Sequence, residues 1–286
     1  MLLVAERPAK KTTPDAPTTS ATHGSPAAWM LFGGYYGLFC RSICRALHFK
    51  VSATGDRHTV AVSGVPWPSL PGGEEKEIGI NRLTARILCG RHNSALSPLD
   101  SAAGAFFEKL QAIEVNLQRR SLSRKHSFVL MSGEALELWM LKLACGLFYS
   151  KNAAADGARL IDQHQVNEEF VQEALLLGRW REGCGLYLRP PQGFRIPDPH
   201  TISMAPLIAL NEHRLVGSAL ALTGLEFELI FHPVGASRQD LSQAGWIYRP
   251  TELRFEIGTR AHSIALTWPP GTPPNLVRII HKLTRT

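Results

Sequence analysis

Cys89 and His92 form the pair with the clearest chemical meaning in this chain. A thiolate and an imidazole at this spacing can ligate one Zn2+ when the backbone folds tightly between them, a fold that Gly90 permits. Asn93 follows the histidine directly, and the string ILCGRHNSALSPLD, beginning at Ile87, runs into a helix entry at Ser97-Pro98-Leu99-Asp100. Structural zinc takes four ligands, so two more donors are needed. Cys40 and Cys44 are the candidates: on a helix they and His48 share a face, because a step of four residues is close to one turn. The same spacing also fits an amphipathic helix that carries two apolar cysteines.

Hydrolytic chemistry has thinner support. Phosphodiester cleavage at a metal needs a histidine general base beside a divalent ion, and Asp56-Arg57-His58 is the nearest acidic-histidine grouping. No nucleophile elbow of the G-x-S-x-G type is present, and Gly72-Gly73 lacks the Lys-Ser/Thr that completes a phosphate-cradling loop. His164, His200, His213, His232, His262 and His281 are scattered singly along the chain.

Charge points to an anionic partner. The net charge is +7 and the pI about 9.3, a balance that favours nucleic acid or another polyanion. The compact basic run is Arg119, Arg120, Arg124, Lys125 and His126; its first four members and Arg91 are the candidate phosphate contacts. Such a run also fits a solvated helix end. The five cysteines have no regular spacing, which argues against a disulfide framework and for a reducing, cytoplasmic compartment. Cys145 and Cys184 sit in apolar patterns and read as buried small hydrophobes.

The elements that must position these residues follow from periodicity. Residues 1–28 are rich in Thr, Pro, Ala and Ser and are expected to be disordered. The apolar run WMLFGGYYGLFC at 29–40 is too short to span a bilayer and is followed by Arg41 and Arg45, so no membrane association is expected. Residues 51–80 read as strands and loops. Ser97 is placed to cap a helix with Pro98 in its first turn, and Phe106, Leu110, Ile113 and Leu117 then make one apolar stripe to about Gln118. A second helix starts near Ser132, with Leu136, Trp139, Met140, Leu143 and Leu147 lining one side and Glu134, Glu137 and Lys142 available for the other. A third covers Asn167–Leu177, after a polar connection at 152–165. From Gly183 the period shortens to that of strands, with Thr223-Gly224 as a hairpin turn. Helices followed by consecutive strands make an α+β chain with a C-terminal antiparallel meander.

The string ILCGRHNSALSPLD, its continuation Ala102-Ala-Gly-Ala-Phe-Phe107 and the later segment LWMLKLACGL at 138–147 carry a resemblance. Over residues 74–268 the chain resembles a group of uncharacterised bacterial proteins related to HNH-type treble-clef zinc modules. The resemblance implies a C-x-x-C knuckle upstream and a C-x-x-H-N step at the opening of a helix. Cys89 and His92 match the second pair. No C-x-x-C occurs upstream, so the N-terminal part reads as degenerate, with Cys40 and Cys44 as substitutes. The expected organisation is a disordered 1–28, a degenerate treble-clef-like region with its helix over 29–122, and an α+β body over 123–286. The expected function is Zn2+-supported nucleic-acid binding without cleavage. The alternatives are an interaction scaffold with a vestigial metal site, and an active metal-dependent HNH endonuclease.

Overall fold

The computed structural model describes residues 43–45, 49–53, 59–63, 76–79, 90–118, 126–149, 154–155, 158–193, 201–209, 212–233 and 237–282. All of them belong to the unit Leu38–Thr286. Four strands open the described chain: β1 (Ile43–Arg45), β2 (Phe49–Ala53), β3 (Thr59–Ser63) and β4 (Lys76–Gly79). Helix α1 (Gly90–Gln118), strand β5 (His126–Ser132) and helix α2 (Gly133–Tyr149) follow. Next come β6 (Ala154–Ala155), β7 (Ala158–Arg159), α3 (Leu160–Gln163) and α4 (Glu168–Leu177). The rest is β8 (Gly185–Arg189), β9 (Thr201–Ala209), β10 (Arg214–Leu222), β11 (Leu225–Ile230), α5 (Arg238–Gln243), β12 (Ile247–Tyr248), β13 (Glu252–Ile257), β14 (Arg260–Thr267) and β15 (Leu276–Ile280).

The chain is α+β, as its pattern predicts, but its strands do not wait for the helices. A nine-stranded antiparallel sheet runs β12-β8-β11-β10-β9-β2-β3-β4, with β1 also on β9. The β2–β9 pairing joins the expected N-terminal region and the expected body in one sheet. A second, four-stranded sheet runs β15-β13-β14-β5 and is mixed: β13 and β14 are antiparallel, while β15 on β13 and β5 on β14 are parallel. The expected connection at 152–165 contains the β6–β7 hairpin and α3.

Local chemistry explains several of the boundaries. Ser132 Oγ accepts from the Ala135 backbone N–H at 3.0 Å and starts α2. Asn167 Oδ1 does the same for Phe170 N at 3.2 Å in α4, and Gly178 closes that helix in the left-handed region. Thr223 and Gly224 both take positive φ (48° and 78°), the geometry of a tight hairpin between β10 and β11. The C-terminal carbonyls of α1 are capped from outside the helix: the Arg260 guanidinium on β14 donates to Asn116 O at 3.0 Å and Leu117 O at 3.2 Å.

α1 buries the predicted stripe of Phe106, Leu110, Ile113 and Leu117, and Phe106 meets Phe227 of β11 edge-on at 5.9 Å. α2 packs against α1, against β10 and β11 of the larger sheet, and against β14 of the smaller. It is the shared core element, with Leu136, Met140, Leu141, Ala144 and Phe148 buried. Among the described residues no helix is long and apolar enough to cross a membrane.

Candidate functional site

α1 begins at Gly90, the residue after Cys89. The first turn therefore contains Arg91, His92 and Asn93, all exposed. No acidic residue lies in this turn, although the exposed N–H groups and the dipole make it the positive end of a long helix. The helix thus starts seven residues earlier than Ser97. Ser97 is not its cap: its hydroxyl donates to Ser94 O at 3.0 Å, and Pro98 lies inside the helix. Pro98 has no N–H to give the carbonyl four residues back, which is that of Ser94. The neighbouring serine satisfies this acceptor instead, and the helix runs through. Asp100 is well inside α1 and pairs with Lys142 Nζ of α2 at 2.5 Å.

The proposed ligands and phosphate contacts are distributed as follows. His92 and Arg91 are in the first turn of α1, while Cys89 and Cys40 lie outside the described residues. Cys44 belongs to β1, opposite Ile208 of β9. The helix face expected for Cys40, Cys44 and His48 does not hold at 43–45, where pairing with β9 imposes an extended backbone. Arg119, Arg120, Arg124 and Lys125 lie outside the described residues, as do His58 and His200. Among the described residues no three His, Cys, Asp or Glu side chains converge as a metal site. Of the four expected ligands, the described residues include two: Cys44 on β1 and His92 in the first turn of α1.

Elsewhere the fold assembles polar groups that the sequence scatters. Glu137, expected on the solvent side of α2, is fully buried. Its Oε1 accepts from Leu186 N at 2.7 Å and Arg249 Nε at 3.0 Å, and its Oε2 from Arg249 Nη2 at 2.8 Å. Burial pushes the carboxyl up, against the opposing pull of Arg249 and the Leu186 N–H. Tyr248 and Trp268 lie within cation-π range of Arg249, at 5.2 and 5.4 Å. With both oxygens satisfied and both side chains buried, this pair ties α2 to β8 and to the connection between β12 and β13, and is not arranged for catalysis. A second buried pair joins His281 Nε2 to Glu114 Oε1 at 3.1 Å, linking the end of β15 to α1.

A third group is partly open. Arg214 Nη1 of β10 donates to His232 Nε2, while Glu212 Oε2 lies 3.5 Å from Arg214 Nη1 and 3.8 Å from His232 Nε2. Phe170 of α4 meets His232 edge-on at 5.1 Å, and the Arg181 guanidinium sits 3.9 Å over the same ring. Burial, then Arg214, hold the His232 imidazole below its ordinary pKa, opposed by Glu212. His164 and His213 stack at 6.1 Å. Single-residue reading of the histidines does not reveal these pairings, because each partner arrives from another element.

Cys145 and Cys184 are buried, as their apolar surroundings predict, and burial pushes both thiols up to about 12. They stay protonated near neutral pH and are poor nucleophiles. Comparison with family models, with curated proteins and with solved structures finds no match for this chain.

Proposed function

We propose that this chain binds nucleic acid, or a related polyanion, at the start of α1, and does not cut it. The observation that carries the reading is the position of that start. A helix beginning at Gly90 puts Arg91, His92 and Asn93 in its first turn, with no carboxylate there to offset the positive end. Phosphate oxygens suit that combination of backbone N–H groups and a guanidinium. The run Arg119, Arg120, Arg124 and Lys125 follows α1 in sequence and adds positive charge.

In this reading Cys89 and His92 hold one Zn2+ at the helix opening, with Cys40 and Cys44 as the other donors. The C-x-x-H spacing across the residue that opens α1 supports the first two. Zinc would act there as a structural ion that fixes the helix start. A second reading, a scaffold that works through protein contacts, is favoured by one observation: Phe128 and Leu130 of β5 are about two-thirds exposed (66% and 65%).

Metal analysis combined with binding separates the readings. The first predicts one equivalent of zinc in the purified full chain, with zinc, thermal stability and oligonucleotide affinity all reduced in Cys89→Ala, because ligand loss costs folding free energy. Zinc-free protein that still binds oligonucleotide removes the metal from the account. Zinc-free protein with no affinity for DNA or RNA overturns the first reading entirely.

A further inference from the structure

We propose that β5 joins two copies of this chain, edge to edge and antiparallel, about a two-fold axis through Val129. β5 closes one end of the four-stranded sheet and, among the described residues, has a neighbour only in β14. An open edge offers a row of unpaired N–H and C=O groups, and soluble proteins usually blunt it with charge, proline, a bulge or brevity. The other sheet ends follow that rule. β15 carries Arg278, ion-paired to Glu256 at 2.6 Å, β4 carries Lys76 and Glu77, and β12 has two residues. β5 does not. Its sequence HSFVLMS has no acidic residue, lysine, arginine, proline or glycine, and it pairs with β14 over seven residues without a register break.

The side chains fit a second copy of the same strand. Phe128 and Leu130 point to the outer face, while Val129 and Met131 face the core and are only partly buried. In an antiparallel pair, directly opposite residues share a face. With the axis at Val129, Phe128 lies opposite Leu130 of the second copy and Leu130 opposite its Phe128, so two apolar pairs form on one face. Centring on Leu130 would set Phe128 against Ser132, and centring on Phe128 would set Leu130 against His126. Half-step registers would oppose outer to inner residues, which the alternation of the strand forbids. The outward residues of β14 that flank this seam, Ser263 and Ala265, are small and leave room for the aromatic ring.

A seven-residue strand is about 24 Å long. The strip it offers is smaller than the ~800 Å² per partner of tight complexes, so the expected dimer is reversible, with a Kd of roughly micromolar or weaker.

Sedimentation velocity of the full chain over a concentration series tests this. Wild type is expected to move from monomer to dimer as concentration rises. Phe128→Lys and Leu130→Glu, both at exposed positions and both checked for unchanged circular dichroism, should each remain monomeric where wild type is dimeric. An equimolar mixture of F128K and L130E should recover the dimer, because this register sets the new ammonium opposite the new carboxylate and keeps the second pair apolar. Wild type that stays monomeric throughout overturns the proposal and turns attention to a different partner. A dimer indifferent to both substitutions, or a mixture that stays monomeric, overturns it as well.

Discussion

Arg249 grips the carboxylate of Glu137 with two nitrogens, at 3.0 and 2.8 Å, across 112 residues of sequence. Arg249 stands at positive φ (44°) just after β12, and Glu137 on the buried side of α2. Removing one partner of a buried pair strands the other charge, at a cost of about 3–5 kcal/mol. Arg249→Ala should therefore lose stability on that scale in urea denaturation. The double variant Arg249→Met with Glu137→Met should lose less than the sum of the single changes. A loss near zero for Arg249→Ala would show that the pair is not formed.

The interior position of Pro98 gives a sharper test of where α1 begins. If the helix starts at Gly90, Pro98→Ala restores an N–H for Ser94 O and should stabilise the chain by on the order of 1 kcal/mol. That is less than the ~3 kcal/mol of an uncompensated interior proline, because Ser97 already serves the carbonyl. If the helix starts at Ser97, proline occupies a favoured first-turn site and the same change should be neutral or destabilising.

Much of the fold announces itself locally. Ser132, Asn167 and Gly178 mark helix ends through their own side-chain or backbone chemistry, and Thr223-Gly224 marks its hairpin. The stripe from Phe106 to Leu117 is legible because it repeats at helical spacing. β5 and β15 are not legible in this way: each is held by a parallel partner, β14 or β13, that is distant in sequence or reached without a hairpin. Glu137 illustrates a different limit. Its position beside Leu136 and Met140 signals only an acid at the margin of an apolar face, and the guanidinium that permits its burial is supplied by a residue far along the chain. At the candidate site, the sequence identifies the Cys89–His92 spacing and the long helix after it, but Pro98 disguises the true start.

Three histidines should make the fold acid-sensitive. Burial is the leading cause holding His164, His232 and His262 below the usual 6.5. The unfolded chain then takes up these protons more readily than the folded one, so their stabilising contribution is complete above pH 6.5 and is lost as pH falls through the lowered folded values. The thermal midpoint should drop between pH 7 and pH 5, and His232→Gln should flatten that dependence. A profile unchanged by the substitution would remove His232 from this explanation.

Gly217 is required where β10 shifts register against β9. A Cβ there would fall 2.2 Å from Leu229 O, a backbone atom of β11. Gly217→Ala should destabilise by about 1–3 kcal/mol, the range for overpacking, readable as a shift in the denaturation midpoint. An unchanged midpoint would mean that β10 and β11 are not in this register.

The most direct test of polyanion binding at the start of α1 is the salt dependence of oligonucleotide affinity, compared between wild type and Arg91→Ala. Log K should fall linearly with log salt between about 50 and 200 mM, and Arg91→Ala should weaken binding across sequences and reduce the slope by about 1. Undetectable affinity for DNA and RNA at the low end of that range, or binding with the same slope in both proteins, would contradict it.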